Sequence, residues 1–317
     1  MDLKSAEKPV EILLATHNGD SFLREAIDSI LSQTVAPSRL TVSDDSSADT
    51  SVDIVKEYSK RSSCEISLLP SVADRLGAAG SFSRLLESST AEYLMFSDQD
   101  DVWLPHKLEK TLERIQQLED RYGKKTPLLI HTDLKVVNNA LEPIAESFWD
   151  YQNIHPKKRE SLNRLLPQNV VTGCTVMINS SLRKLALPIP QQAIMHDWWL
   201  ALVAAAFGQI EHIDEATLLY RQHGNNEIGA KRWGNVRNLA TVVTDKAGMN
   251  QSLLNTQVQA KAFLAQYFER LSPKQRQLVA TYASLNQSPK PVRLYNLLKY
   301  KYFKAGFLRN LGLFLRI

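Results

Sequence analysis

Within the first hundred residues, short apolar runs alternate with amphipathic helical patterns, and this alternation leaves few folds open. Val10–Ala15, Leu40–Ser43, Glu65–Leu69 and Tyr93–Phe96 read as strands. Between them lie three helical patterns. The first starts at Ser21 and runs through Gln33, with Phe22, Leu23, Ala26, Ile27, Ile30 and Leu31 on one face. The others are Thr50–Lys60 and Phe82–Glu87, the latter after a loop holding Gly77 and Gly80. Strand and helix in turn predict an α/β fold with a mainly parallel central sheet flanked by helices. Further on, Pro105 opens a long amphipathic helix to Tyr122. Leu128–His131, Val170–Ile178, Ile210–Ile213 and Thr217–Arg221 read as later strands, and Asp197–Phe207 as a helix apolar nearly all round. Gly224 and Gly229 mark a loop, after which the pattern is helical to the end. The expected division is a catalytic domain over residues 1–230, split into halves at about 8–110 and 111–230, and a helical extension over 231–317.

A chain of 317 residues, 44% hydrophobic and 23% charged, has ordinary globular composition and can bury a large core. Its two cysteines, Cys64 and Cys174, make no disulfide framework, which favours a reducing compartment. Met1–Pro9 is polar, and Val10–Ala15 is too brief for a signal-peptide core or a membrane span. The expected location is therefore cytoplasmic.

In open α/β sheets, ligands bind at the carboxyl ends of strands, and the acids collect there. Asp44 and Asp45 follow the second strand; Asp98, Asp100 and Asp101 follow the fourth. An Asp-x-Asp pair puts hard oxygen ligands on a short loop, suited to Mg²⁺ or Mn²⁺ carrying a substrate diphosphate. A cation there relieves mutual repulsion and neutralises departing phosphate. Thr16-His17-Asn18-Gly19 follows the first strand and opens a helix, whose amides favour an anion or polar ligand. Asp197, beginning a buried helix in His196-Asp197-Trp198-Trp199, is placed either as a general base or as a helix-dipole acid. Trp198 and Trp199 suit the core or a sugar ring equally. Arg221 and His223 alternate onto one face at a strand end, available to phosphate or, for His223, to a metal.

Together and in this order, these segments resemble the inverting glycosyltransferases of family 2, which have the GT-A (nucleotide-diphospho-sugar transferase) fold. "ILLATHNGDSFLREAIDSILSQT" looks like the family's first strand, loop and helix, and "VSDDSSADTS" like the second. "RLGAAGSFSRLLESS" matches the helix before the metal strand. "YLMFSDQDDVWLPHKLE" matches the metal segment, its "SDQDDVW" being similar to rhamnosyltransferase-like members. "VVTGCTVMINSSL", "HDWWL" and "YRQHGNN" continue the match, which covers about residues 8–230.

The resemblance implies roles. Thr16, Asn18, Asp44, Asp45 and Arg75 would hold nucleotide base and ribose. Asp98 and Asp100 would form the metal pair, with His223 on the metal or diphosphate and Arg221 beside it. Asp197 would be the catalytic base, and His196, Trp198 and Trp199 the acceptor side. It implies a metal-dependent single displacement from a dTDP-, UDP- or GDP-linked sugar, with a lean towards dTDP-rhamnose. The acceptor would be a glycan or lipid-diphosphate-linked glycan of O-antigen, capsule or exopolysaccharide biosynthesis. The chain departs from the family pattern at Ala15 (usually proline), His17 (frequently tyrosine) and His196 (usually glutamate), and His196 stands where it can perturb ionisation of Asp197.

After Glu269 there are ten basic residues and no acid, which leaves a body of formal charge −6 within a chain of +4. Leu294–Ile317 carries apolar residues at helical spacing among these cations, interrupted by Gly306 and Gly312. Such a segment can lie on an anionic membrane, here the cytosolic face of the inner membrane, or dock on the catalytic domain. Nucleic acid is not expected, for want of any base-reading motif. Two enzyme rivals fare poorly. An Asp-x-Asp phosphotransferase needs its acids after the first strand, which ends in Ala15-Thr16, and a nicotinamide dehydrogenase needs more glycines than the first turn holds. A nucleotide-sugar-binding protein without turnover is the non-enzyme rival.

Overall fold

The first half of the chain is built from strands apolar on both faces, which demand helices on either side. The computed structural model describes residues 10–72, 74–157, 159–223 and 246–316. The sequence readings at Met1–Pro9, at the Gly224–Gly229 loop and at the 230/231 boundary lie outside them. β1 (Val10–Thr16), β2 (Arg39–Asp44), β3 (Glu65–Leu68) and β4 (Tyr93–Asp98) pair in parallel in the order β3-β2-β1-β4. α1 (Asp20–Leu31), α2 (Ser51–Arg61) and α3 (Gly77–Ser88) make the crossovers.

Alternation along β1 sorts the helices. Ile12 and Leu14 face one core, shared with α1, α2 and α4 (Lys107–Tyr122). Leu13 faces the other, shared with α3 and with α8 (His196–Phe207), which is apolar all round and buried.

Beyond β4 the sheet becomes mixed. β8 (Met177–Asn179) joins β4 antiparallel, and β6 (Leu128–Val137) joins β8 antiparallel. β9 (Gln209–Arg221) then runs parallel to β6, with β5 (Val102–Trp103) at the far edge and β7 (Pro143–Ala145) on β6. Short helices α5 (Phe148–Gln152), α6 (Leu162–Leu165) and α7 (Ser180–Ala186) fill the connections.

Two strand predictions change. The late runs Ile210–Ile213 and Thr217–Arg221 are one strand, because the acidic stretch between them is taken up by register shifts against Thr132 and Asp133. Only the end of Val170–Ile178 is a strand. Gly173–Thr175 turns as a 3₁₀ helix and carries the preceding residues away from the sheet.

The C-terminal helices α9 (Lys246–Tyr267), α10 (Pro273–Ala283), α11 (Lys290–Tyr300) and α12 (Phe307–Arg316) complete the Leu13-side core. Phe263, Val279, Tyr282, Leu297 and Tyr302 are buried in it. α10 is opened by a capping box between Ser272 and Gln275. The predicted Leu294–Ile317 helix is broken where Lys301 and Gly306 adopt φ of 55° and 75°. The sequence thus weighed docking against membrane contact, and the helices are docked.

Candidate active site

The acidic loop is made by the end of β4. Strand alternation leaves Ser97 buried and turns Asp98 towards a cavity at the carboxyl edge of the sheet. Gln99 folds back instead. Its Oε1 accepts from Thr16 Oγ1 at 2.6 Å and from the His17 amide at 2.7 Å, and its Nε2 donates to the His17 carbonyl at 3.1 Å. The β1 and β4 loops are thereby locked together. A Cβ on Gly19 would stand 2.2 Å from Gln99 Oε1, so only glycine permits this crossing as it stands. Asp100 and His223 meet, with His223 Nε2 2.7 Å from Asp100 Oδ2. Asp101 is fully buried, and burial with the neighbouring Asp100 and Asp98 pushes its carboxyl well up.

Arg221 is buried at the end of β9 and stacks over Phe22 at 4.6 Å. It donates from Nε to the Asp100 carbonyl at 3.0 Å and pairs with Glu25 and the Asn139 carbonyl. It therefore shapes the acidic loop from behind and lies outside the cavity lining. Cys174 is buried in the 3₁₀ turn, not a strand, and its thiol is pushed well up by burial. Asp98, Asp101 and Cys174 bring ligand atoms within 4.8 Å of one another. The set facing the cavity, Asp98 and Asp100 with His223 behind, is oxygen-rich with one imidazole, a composition that suits Mg²⁺ or Mn²⁺.

The β2 loop forms the next wall. Asp45 is buried and accepts from the amides of Leu76 at 2.6 Å and Gly77 at 2.8 Å, at the start of α3. Arg75 Nε stands 3.5 Å from Asp45 Oδ2 with its side chain 63% exposed. Asp44 turns the other way and accepts from the Ser47 amide at 3.0 Å; its Oδ1 is buried without a partner. Asn18, with φ 48°, joins two loops by accepting from the Ala48 amide at 2.8 Å while its own amide donates to Ser47. Thr16, Asp45 and Arg75 line the cavity, whereas Asn18 and Asp44 do not.

The opposite wall comes from α8. Asp197 is 8% exposed, and burial pushes its carboxyl up to about 7 against the pull of hydrogen bonds from Trp198, Gly173 and Asn169. The ring of His196 lies 4.0 Å from Phe82 and 4.9 Å from Phe96, with neither nitrogen hydrogen-bonded. Burial lowers it to about 3, so His196 is neutral and adds no charge beside Asp197. His196 stands where it can perturb Asp197, but the shift at Asp197 comes from burial. A Cβ on Gly173 would stand 3.0 Å from His196 Nε2, so the 3₁₀ turn packs closely on the start of α8. The two tryptophans divide. Trp198 lines the cavity and donates to the Leu165 carbonyl at 2.7 Å. Trp199 is fully buried against Phe263 and Tyr267.

These walls enclose about 600 Å³, with Thr16, Asp45, Arg75, Asp98, Asp100, His196, Asp197 and Trp198 all facing it. Gln99 and Asn169 are participants that reading the residues in order missed. The one signal for Gln99 was its place inside the Asp-x-Asp motif, next in space to a glycine-bearing loop.

Residues 11–182, more than half of the chain, match the family model described as glycosyl transferase family 2. The chain belongs to glycosyl transferase family 2. Among its relatives in that family, dTDP-rhamnosyl transferase RfbG of Shigella flexneri is 26% identical over 269 residues, covering 76% of this chain and 88% of the relative. The Escherichia coli enzyme WfgD, a UDP-Glc:alpha-D-GlcNAc-diphosphoundecaprenol beta-1,3-glucosyltransferase, is 29% identical over 174 residues, 55% of this chain and 61% of that one. Two solved structures share the GT-A fold. Mannosyltransferase PcManGT from Pyrobaculum calidifontis, in complex with GDP-Man and Mn²⁺, aligns with TM-score 0.54 at 14% identity over 96% of this chain and 78% of that one. S. aureus TarS 1–349, in complex with UDP-GlcNAc, aligns with TM-score 0.52 at 15% identity over 90% and 82%. The family 2 chain described here is thus a glycosyltransferase whose acids collect at the carboxyl edge of a GT-A sheet.

Proposed function

We propose that this family 2 member is a metal-dependent, inverting transferase that moves a sugar from a nucleotide diphosphate to a glycan or lipid-diphosphate-linked acceptor. The observation that carries the reading is a single cavity walled on one side by Asp45, Asp98 and Asp100 and on the other by the buried Asp197. Thr16, Asp45 and Arg75 contact the nucleotide, while Asn18, Asp44, Gln99 and Arg221 hold the loops that present them. Asp98, Asp100 and His223 would hold Mg²⁺ or Mn²⁺, which when bound supplies positive charge to the leaving diphosphate. Asp197 takes the proton of the acceptor hydroxyl as its oxygen bonds to the anomeric carbon and the bond to phosphate breaks. One displacement inverts that carbon. Trp198 and the neutral His196 wall the acceptor side.

The donor reading leans to dTDP-rhamnose, supported by the "SDQDDVW" loop and the relative RfbG. We infer a role in cell-surface polysaccharide biosynthesis, worked from the cytosolic face of the inner membrane. Contact with an anionic membrane is supported by a groove holding Lys157, Arg159, Arg164 and Lys304 beside Phe303 and Phe307, the last 78% exposed. Among the described residues no helix is long and apolar enough to cross a membrane.

The test is a thermal-shift titration with dTDP, UDP and GDP, each with and without Mn²⁺ or Mg²⁺, beside Asp100→Ala. A ligand selective for the folded state raises apparent stability by mass action. The reading expects one nucleotide to raise Tm only with metal, and the shift to vanish in Asp100→Ala. No shift for any of the three in folded protein removes the donor site.

A further inference from the structure

Outside the cavity, β6 and β9 bring together a second group of ligand-bearing side chains. His131 and His212 are register partners in neighbouring parallel strands, so their side chains share a face of the sheet. Glu160, from the segment before α6, reaches over both. Its Oε1 lies 2.9 Å from His131 Nε2 and 2.8 Å from His212 Nδ1. All three ligand atoms fall within 4.8 Å of one another, and none of these residues lines the cavity.

From this arrangement we propose that His131, His212 and Glu160 bind one Zn²⁺-class divalent cation. Two imidazoles and one carboxylate suit Zn²⁺ far better than Mg²⁺, which prefers oxygen throughout. Tetrahedral bonds of about 2.0–2.1 Å set ligand atoms roughly 3.3 Å apart, so a small parting of Glu160 from the rings admits the ion. The rings are already fixed. Trp149 packs edge-on against both, its ring 5.6 Å from His131 and 5.7 Å from His212. Asp214 Oδ1 stands 3.6 Å from His212 Nε2, beyond hydrogen-bond distance, and adds negative charge beside the cluster. His131 is buried, while the side chains of Glu160 and His212 are 16% and 19% exposed, which leaves a path for the ion from solvent.

The consequence is mechanical. The Glu160 segment leads into α6, and the Leu165 carbonyl at the end of α6 accepts the Trp198 indole N–H at the cavity wall. The ion clamps that segment to the sheet and so steadies the acceptor wall.

The experiment uses the full chain carrying Asp98→Asn and Asp100→Asn, so that the acidic loop does not compete, stripped of metal and titrated calorimetrically with Zn²⁺. One equivalent is expected to bind and raise Tm, with Mg²⁺ in large excess failing to displace it. Adding Glu160→Gln or His212→Asn, both on partly exposed side chains, should weaken binding by more than the roughly 10- to 100-fold that loss of an outer-shell partner costs and remove the Tm rise. Co²⁺ loaded instead should give visible d–d bands that Glu160→Gln changes. Equal Zn²⁺ affinity with and without these substitutions, or no binding once the acidic loop is silenced, overturns the site. The cluster is then a carboxylate-bridged histidine pair only. None of these readouts depends on transfer activity or nucleotide binding, so failure here leaves the proposed function standing.

Discussion

His223 Nε2 lies 2.7 Å from Asp100 Oδ2, which ties the end of β9 to the acidic loop after β4. On the proposed function the imidazole would orient this carboxylate for a cation or join it as a ligand, and either role would act on metal affinity. His223→Ala should therefore raise the Mn²⁺ concentration for half-maximal transfer by roughly 10- to 100-fold, with a smaller loss of kcat at saturating metal. A metal titration of initial rates checks this. A lower kcat with unchanged metal dependence would assign His223 to the diphosphate instead.

Asp197 is held up at about 7 by burial, so its basic form gains population as pH rises through neutrality. Transfer should climb across that range and level off above it, as expected of a general base. Asp197→Asn should lower kcat by roughly 10²- to 10⁴-fold at pH 8. Stability should move the other way. A carboxyl raised in the folded state binds more protons there than in the unfolded chain, so stability falls as pH climbs from about 4 to 7. The asparagine lacks this penalty and should melt higher than wild type above pH 7, with little difference near pH 4. Melting curves across pH, set beside rates, separate a buried base from a plain structural acid.

How far this site was legible depends on which force positions each residue. The strand ends carrying Asp45 and Asp98 were legible, because apolar runs fix the sheet and a parallel sheet puts its loops on one edge. The burial of Trp199 and the exposure of Trp198 to the cavity were not. Neighbours on one helix, they are sorted by Phe263 and Tyr267, which arrive from α9 more than sixty residues later. Arg221 was equally hidden: its partners Glu25, Asp100 and Asn139 lie on three separate segments, and only the folded chain collects them. The neutral state of His196 follows from Phe82 and Phe96, again supplied by other elements.

Gly19 and Gln99 form a coupled pair. The Gln99 amide fills the space a Cβ on Gly19 would need, and it is held there by hydrogen bonds with Thr16 and His17. Gly19→Ala should displace it and cost about 1–3 kcal/mol of stability, together with weaker nucleotide binding. In the Gln99→Ala background the same glycine change should cost less, since only Thr16 Oγ1, 2.9 Å from the added Cβ, then stands in its way. A double-mutant cycle on Tm reads this directly. Additive losses would show that Gly19 is needed for some other reason.

A second glycine guards the sheet itself. A Cβ on Gly208 would stand 1.8 Å from the Pro127 carbonyl oxygen. That oxygen accepts the Gln209 amide at 2.9 Å, the first bond of the long β6–β9 pairing. Backbone cannot yield as a flexible side chain does, so Gly208→Ala must either part the two strands or bend α8 away from β9. Overpacking of this kind costs roughly 1–3 kcal/mol, and more where backbone is the obstacle. The expected result is a lower denaturant midpoint with an unchanged slope. Because His131 and His212 pair further along the same two strands, weaker binding at the proposed Zn²⁺ cluster should accompany the loss of stability. An unaltered midpoint would mean that α8 and β9 are held less tightly than this contact requires.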